Sequence, residues 1–542
     1  MKGLFYSQDA SANQAPRQVY NWRIYALACS SSMGAAMFGY DSAFIGGALT
    51  LPSFQKRFGL ESAHGTKLAN LKANIVSTFQ AGAFFGAILV YPVTEKFGRR
   101  LTLLLCGLLF NLGAIAQLAS SGHVGAIYAG RVLTGLAVGA SSLIIPVYIS
   151  ESSPPAIRGR LVGLFECFLQ VSQVIGFWMN YGVSLHVPKT LDKQWQIPFS
   201  FQVVPASLLV ILMFFQPESP RWLVKAGKAD QARRNLSRLR HLPLDHEYIS
   251  WEINTAQRQI EAENSLGANR SVWAKVQQAF TLPGNRQRLL IGMALMLLQN
   301  MSGINALNYY SPAIFAAIGF SGTDVSLLAT GVFGLVKATT TLILMLFLID
   351  RLGRRRAMLI GSCGGIVAMY YLGGYTAQSH SFTSEHVPKD GGAYMAILMV
   401  YLFAFFYALS WNGVPWVFCS EVFPTAIRSV CLVFTTCSQW LAQFIIVYST
   451  PYMMTNITYG TFLLFGTSLV VGIVFIYLFF PETKGLLLEE MDILFSQRGP
   501  ATAKRRETDR IIQDRRNDGH AQAVVAEKWD EKTDPMIHVE AV

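Results

Sequence analysis

Apolar residues gather along this chain into twelve runs of roughly 20, each long enough as a helix to cross about 30 Å of hydrocarbon, with polar stretches between them. The runs predict membrane helices over 24–49, 74–94, 101–120, 124–147, 161–184 and 197–216, then over 288–316, 325–349, 356–377, 392–418, 429–452 and 459–480. The expected class is an all-α membrane protein of twelve transmembrane helices. The first run is too long for the apolar core of a signal peptide and reads as the first span. The main polar interruption, 217–287, alternates charges with Leu, Trp and Ile as short amphipathic helices do. The chain therefore divides into a 1–23 N-terminal tail, a 24–216 six-helix bundle, a 217–287 linker, a 288–480 six-helix bundle and a 481–542 C-terminal tail. The C-terminal tail sets Lys504-Arg505-Arg506 and Arg515-Arg516 among acids with few aromatics, so disorder is expected after about residue 496. The first twenty residues read the same way.

The polar residues between runs repeat. Glu95-Lys96-Phe97-Gly98-Arg99-Arg100 returns 255 residues later as Asp350-Arg351-Leu352-Gly353-Arg354-Arg355. Ser150-Glu151 with Pro154 and Ala156-Ile157-Arg158 returns as Ser420-Glu421 with Pro424 and Ala426-Ile427-Arg428, and Pro217-Glu218-Ser219 returns as Pro481-Glu482-Thr483. Three repeats in one order indicate a duplicated six-helix unit, from which many secondary transporters build a central site. Acid and base beside a tight Gly turn suit a loop that pairs with neighbouring helix ends in one conformation and releases them in another. Glu95, Arg99, Arg100, Glu151, Arg158 and Glu218, with Asp350, Arg354, Arg355, Glu421, Arg428 and Glu482, are the candidate gating network. Exposed pairs contribute about 0–1 kcal/mol each, so only a set could bias two packings. The alternative is that these charges merely anchor helix ends.

Composition fits the pattern: 52% of the 542 residues are hydrophobic and only 14% charged, against about one quarter in soluble domains. With both termini inside, about 35 of the 44 Lys and Arg fall on the cytoplasmic side. The net charge of +12 is thus a topology signal that requires no nucleic-acid partner. The seven cysteines lie in or beside apolar runs without ligand spacing, so neither a disulfide framework, a metal site nor a cofactor is expected. No nucleophile and base combination or phosphate loop marks an enzyme.

Ionisable residues at membrane depth cost several kcal/mol unless paired or hydrated, which makes each a functional candidate. Asp41 lies in the first run and Arg131 in the fourth. Glu166 lies in the fifth. Lys337, in the eighth, stands thirteen residues before Asp350, roughly 20 Å from the helix end and beyond easy snorkelling.

The paired loops, Arg131-Val132-Leu133-Thr134-Gly135, PESPR at 217–221, QNMSGIN at 299–305 and PETKG at 481–485 resemble the sugar porter family of the major facilitator superfamily over roughly Val19 to Phe495. VYNWR at 19–23, GYDSAFIGG at 39–47, FWMNYGV at 177–183 and SWNGVPW at 410–416 most resemble its fungal quinate permeases. The resemblance implies the major facilitator fold, residence in the plasma membrane, and a small-molecule substrate, whether polyol, cyclic acid or sugar. It further implies that Asp41 and Arg131 face each other, Asp41 as proton carrier or, alternatively, as half of a structural ion pair. Glu166 stands where most sugar porters place a substrate-binding Gln. Either Lys337 binds the carboxylate of a quinate-like anion, or Lys337 and Glu166 bridge the halves around a neutral polyol. Phe38, Gln173, Gln299, Asn300, Asn305, Tyr309, Trp411, Gln439 and Trp440 match the family's cavity positions, and amides with aromatic faces suit a hydroxylated ring. Gly303 in the seventh run, and Gly413 with Pro415 in the tenth, are expected to break their helices. Gly135 and Gly139 read as helix-packing positions. The function expected is proton-coupled uptake of quinate or a related cyclic acid; the alternatives are a monosaccharide or polyol permease and a non-transporting nutrient sensor.

Overall fold

The computed structural model describes residues 16–263, 272–320, 322–344, 352–381, 390–424, 427–486, 488–497 and 499–514. Among these, eleven helices or kinked helix pairs are long and apolar enough to cross a membrane. In the first half they are α2 (Gly65–Phe97), α3 (Arg99–Leu118), α4 (Val124–Ser152), α5 (Arg158–His186) and α6, a pair of Lys193–Phe201 and Val203–Phe214. In the second they are α7 (Pro283–Met301 and Ile304–Ala317), α8 (Thr323–Ile343), α9 (Arg354–Gln378), α10 (Gly391–Leu409 and Val414–Val422), α11 (Arg428–Asn456) and α12 (Gly460–Phe479). A twelfth, α1 (Trp22–Ala48), is more polar because it carries Ser30, Ser31, Ser32, Tyr40 and Asp41; all five are buried, so it is solvated by protein rather than by lipid.

Local sequence sets the helix ends and the close contacts. Asn21 caps α1 by accepting from the Arg23 amide at 2.9 Å, and Asp390 caps α10 by accepting from that of Ala393 at 2.9 Å. Within the first half, α2 and α4 touch backbone to backbone. A Cβ on Gly135 or Gly139 would come within 2.0 Å of the Phe79 or Ala83 carbonyl oxygen, and one on Gly82 within 2.3 Å of the Val132 oxygen.

The halves meet through duplicated contacts. Helix α2 packs along α11 and α5 along α8, which are one contact in two copies if α2 corresponds to α8 and α5 to α11; α1 packs on the second segment of α7. At the end away from the repeated cassettes this closure is tight. A Cβ on Gly46 would sit 2.3 Å from the Tyr309 carbonyl oxygen, and the Tyr452 hydroxyl bonds to Asn70 Oδ1 across the seam.

At the cassette end each half keeps its own charge cluster. In the first, Arg99 Nε lies 2.9 Å from Glu151 Oε2, Arg99 Nη2 donates to Glu151 Oε1 at 3.0 Å, and Glu95 pairs with Arg99 at 3.5 Å. Glu218 accepts from the backbone amides of Arg99 (2.9 Å) and Arg100 (3.1 Å), so it closes the N-terminus of α3, where orphan amides and the helix dipole favour an anion. Burial nevertheless raises the Glu218 carboxyl above its ordinary range, against the lowering effect of the Ser219, Arg100 and Arg99 amides. Glu482 does the same for α9, accepting from the amides of Arg354 (2.9 Å) and Arg355 (3.1 Å), while Arg354 Nη2 reaches Glu421 at 3.4 Å. Arg100 and Arg355 hold the carbonyls of Phe214 (2.5 Å) and Tyr477 (2.9 Å). Among the described residues no ion pair joins the two clusters.

The expected network differs at Arg158. Asp350 lies outside the described residues. Arg158 is exposed and has no ion pair among them, because Glu151 is already held by Arg99 and by the Ser219 hydroxyl at 2.5 Å. Arg428 donates to the Phe423 carbonyl at 3.2 and 3.1 Å. The linker supplies partners instead: Lys225 pairs with Glu95, and Arg240 bonds the Ser152 carbonyl (2.8 Å) and Glu252 (2.5 Å).

Both tails also differ from expectation. Val19 is buried against the linker helices Ala229–Arg240 and Glu247–Glu263, in a cluster with Leu236 and Ile249. Residues 501–514 form a helix whose Ala501, Lys504 and Thr508, three and four residues apart, are buried, while Arg505 donates to the carbonyls of Glu482 (3.0 Å) and Lys484 (3.1 Å). Its docking stripe is built from small residues and aliphatic stems, which composition alone reads as polar.

Gly98 and Gly353 make the two clasps possible. Each has positive φ, +90° and +85°, and a Cβ would lie 2.5 Å from Glu218 Oε2 or 2.6 Å from Glu482 Oε2. Gly98→Ala is therefore expected to cost about 1–3 kcal/mol and lower the thermal unfolding midpoint. Gly374→Ala, whose Cβ would meet nothing within 4 Å, should leave that midpoint unchanged. Equal midpoints for both variants would refute the clasp.

Candidate functional site

Three polar groups lie in succession between the tight end and the cassettes. The first is the pair Asp41 on α1 and Arg131 on α4: Arg131 Nη1 donates to Asp41 Oδ1 at 3.2 Å, and both side chains are 0% exposed. The guanidinium lies over the Phe79 ring, 5.0 Å from its centroid. Asp41 Oδ2 and Arg131 Nε and Nη2 have no hydrogen-bond partner among the described residues, so the pairing offsets only part of the cost of burying two charges. Tyr309 from the second half accepts from Gln443 at 3.1 Å and, with the Gln80 amide turned, donates to Gln80 on α2 at 3.0 Å.

The second group is centred on Lys337 of α8, 3% exposed. Its ammonium donates to Gln173 Oε1 on α5 at 3.0 Å and to Asn308 Oδ1 on α7 at 3.4 Å; Gln173 in turn donates to the Ser42 hydroxyl on α1 at 3.1 Å. A buried cation at the seam between the halves is thus held by neutral amides. Among the described residues it has no ion pair, and the direct bridge to Glu166 considered from sequence is not formed.

Glu166 anchors the third group, seven residues or about 10 Å nearer the cassettes on α5. It accepts from Gln170 (2.7 Å) and, across the seam, from Asn412 (2.6 Å), whose amide also reaches Thr341 Oγ1 at 3.2 Å.

Beside these groups the second half offers a chain of amides around the break in α7. Gly303 adopts φ +91° there, and the helix restarts at Ile304. Asn305 Nδ2 donates to Asn300 Oδ1 (2.6 Å), and Asn300 Nδ2 donates to Gln439 Oε1 on α11 (2.6 Å). Gln299 donates to the carbonyls of Trp411 (2.6 Å) and Asn412 (3.3 Å), which the break in α10 leaves free of helix bonding. Phe38 on α1 and Trp440 on α11 meet across the seam, ring centroids 5.1 Å apart, with Phe79 at 6.1 Å from Trp440.

Trp411 stands apart from the expected cavity. Its indole donates to Ser362 Oγ on α9 at 2.9 Å and its ring lies against Gly472 of α12, behind the seam. It falls in the non-helical stretch between the two segments of α10, where helical spacing no longer fixes direction. The neighbouring Asn412 faces the seam instead. Asn308 was also legible in principle: it lies three residues from Asn305 and beside Tyr309, on one helical face. Gln170 was legible in the same way, one turn from Glu166 and three residues before Gln173 on one helix; Gln80 carries no such signal.

The model of the family described as sugar (and other) transporter matches residues 27–495. The chain belongs to this family. It is similar to the quinate permease of Emericella nidulans, 46% identical over 486 residues that cover 89% of this chain and 90% of that protein. It is likewise similar to a probable quinate permease of Aspergillus niger, 45% identical over 482 residues covering 89% of each. Among solved structures, the proton:xylose symporter XylE bound to 6-bromo-6-deoxy-D-glucose superposes with a TM-score of 0.72 at 26% identity, covering 88% of this chain and 99% of that one. The inward-open xylose transporter XylE from E. coli superposes with a TM-score of 0.69, also at 26% identity, over 87% and 99%. The family member described here is an integral, multi-pass secondary transporter with the major facilitator fold, and its named relatives are permeases.

Proposed function

We propose that this transporter imports quinate or a related small polyhydroxylated cyclic acid together with a proton, by alternating access. The observation that carries the substrate is Lys337. A buried ammonium with only amide oxygens for partners favours an anion at the seam, and a carboxylate supplies one, with both charged forms then stabilised by pairing. The names of the quinate permeases agree with that reading. The amide chain of Asn300, Asn305 and Gln439 can exchange its internal hydrogen bonds for ring hydroxyls, and Phe38 with Trp440 can cover an apolar ring face.

Coupling is assigned to Asp41. Pairing with Arg131 favours the carboxylate, and movement away from Arg131 within a water-poor site favours the acid, so proton uptake and rearrangement of the halves become linked. Both termini and the cassettes face the cytoplasm in this reading, and the plasma membrane is the site of action. The tight seam at Gly46 and Tyr309 then makes this the state closed to the outside. The clasps of Glu218 and Glu482 hold each half rigid as the halves rock.

A second reading, a monosaccharide or polyol permease, is favoured by the amide chain and by the likeness to the proton:xylose symporter. One experiment addresses both: uptake of quinate, shikimate, glucose, xylose and inositol in a transport-null host, with and without an inward proton gradient. Quinate should accumulate only with the gradient. Accumulation of xylose or inositol with quinate excluded would replace the proposal with the second reading.

A further inference from the structure

Cations also collect outside the seam, around the start of α1. The start of α1, the end of the linker helix Ala229–Arg240 and the turn after it enclose an open pocket of about 520 Å³ lined by Arg23, Arg234, Ser237, Arg238, His241 and Leu244, among others, and by no acid. Two of its arginines are tied only to carbonyls: Arg23 donates to the Arg238 oxygen at 2.8 Å and Arg238 to the Phe215 oxygen at 3.4 Å. Arg234 is exposed and makes no hydrogen bond or ion pair among the described residues. None of the three arginines has a carboxylate within ion-pair range among those residues, and Glu252 on the next linker helix pairs with Arg240. His241 adopts the left-handed conformation, φ 56° and ψ 41°, at the C-cap, which turns the chain so that its ring joins the same wall.

The helix C-terminus at this spot would ordinarily repel an anion. Three of its last carbonyls are occupied, that of Leu239 by Asn21 (2.8 Å), that of Arg238 by Arg23 and that of Ser237 by the backbone amide of His241, and the groups that line the pocket are cationic or neutral. Exposed aromatic rings also flank the pocket. Trp22, 74% exposed, stands beside Arg23, and Phe214 and Phe215, 65% and 64% exposed, end α6 where Arg238 is tied. Exposed aromatics of this kind mark the headgroup level of a bilayer.

We propose that this pocket holds the phosphorylated headgroup of an anionic membrane lipid, clamping the start of α1 to the linker. The chemistry recognised is a phosphate ester, set between arginine forks and a histidine, with its acyl chains along the exposed face at Phe214. The proposal does not depend on which solute is carried.

The test uses the purified full-length transporter in uncharged detergent. It is titrated with short-chain phosphatidylinositol bisphosphate, with free inositol trisphosphate and with short-chain phosphatidylcholine, reading bound lipid by native mass spectrometry and the thermal unfolding midpoint. The anionic lipid should bind saturably and raise the midpoint, with affinity falling as salt rises. Arg234→Glu, which removes no bond made by the protein itself, should weaken that binding at least tenfold while leaving the lipid-free midpoint unchanged. Phosphatidylcholine binding as tightly as the anionic lipid, or unaltered affinity in Arg234→Glu, would overturn the site. Inositol trisphosphate binding as tightly as the lipid would overturn its assignment to a membrane headgroup.

Discussion

Asp41→Asn is expected to abolish pH-driven accumulation while leaving solute exchange across the membrane measurable. One pH unit of inward gradient can sustain at most about tenfold accumulation per coupled proton, so the variant should equilibrate its solute near a ratio of about 1 where the wild type concentrates it. The argument rests on burial: both Asp41 and Arg131 are 0% exposed and bonded at 3.2 Å, so no solvent charge can substitute for the carboxylate. Asn can still accept from Arg131, which preserves the geometry. It also leaves a buried cation without its anion, a loss of about 3–5 kcal/mol when a buried pair is broken, so a lower thermal midpoint should accompany the phenotype. Exchange separates the two effects, since an unfolded variant exchanges nothing. Undiminished accumulation by Asp41→Asn would remove Asp41 from coupling.

Lys337→Met should separate charged from neutral substrates. If the ammonium is the partner of a substrate carboxylate, deleting it leaves that carboxylate buried and unpaired, which costs about 2–5 kcal/mol, or roughly thirtyfold to several thousandfold in affinity for quinate. Neutral inositol, which offers only hydroxyls to Gln173 and Asn308, should lose far less. Met fills a similar volume and removes a buried charge that only amides now satisfy, so the substrate-free protein should be as stable as the wild type or more so. Quinate uptake equal to that of the wild type would assign Lys337 a purely structural role.

The membrane helices were legible because a bilayer demands length and apolarity, and both are sequence properties. The duplicated cassettes were legible because their charges and glycines recur in order. What the letters did not carry is direction. Glu218 and Glu482 read as members of a side-chain charge network, yet both carboxylates face backbone amides of the helices that follow the Gly turns. Arg158 sits in a repeated motif, but the acid nearest it in sequence, Glu151, is taken by Arg99. Trp411 fell in a helix break, where spacing no longer predicts orientation, and Asn412 took the seam. The helix at 501–514 was missed because its stripe of Ala501, Lys504 and Thr508 has no large apolar residue. At the candidate site, Asp41, Glu166 and Lys337 stood out as ions in apolar runs. That Gln173 and Asn308 would meet at Lys337, and Asn412 at Glu166, appears only once the halves are assembled, because these residues come from different helices.

The rocking of the two halves is tested most directly by tying them together where they meet. Asn70 and Tyr452 bond across the seam at the end away from the cassettes. A reductant-cleavable bismaleimide joining Asn70→Cys to Tyr452→Cys should stop solute uptake, and cleavage should restore it to the level of the untreated double variant. Uptake at full rate with the link complete would contradict alternating access.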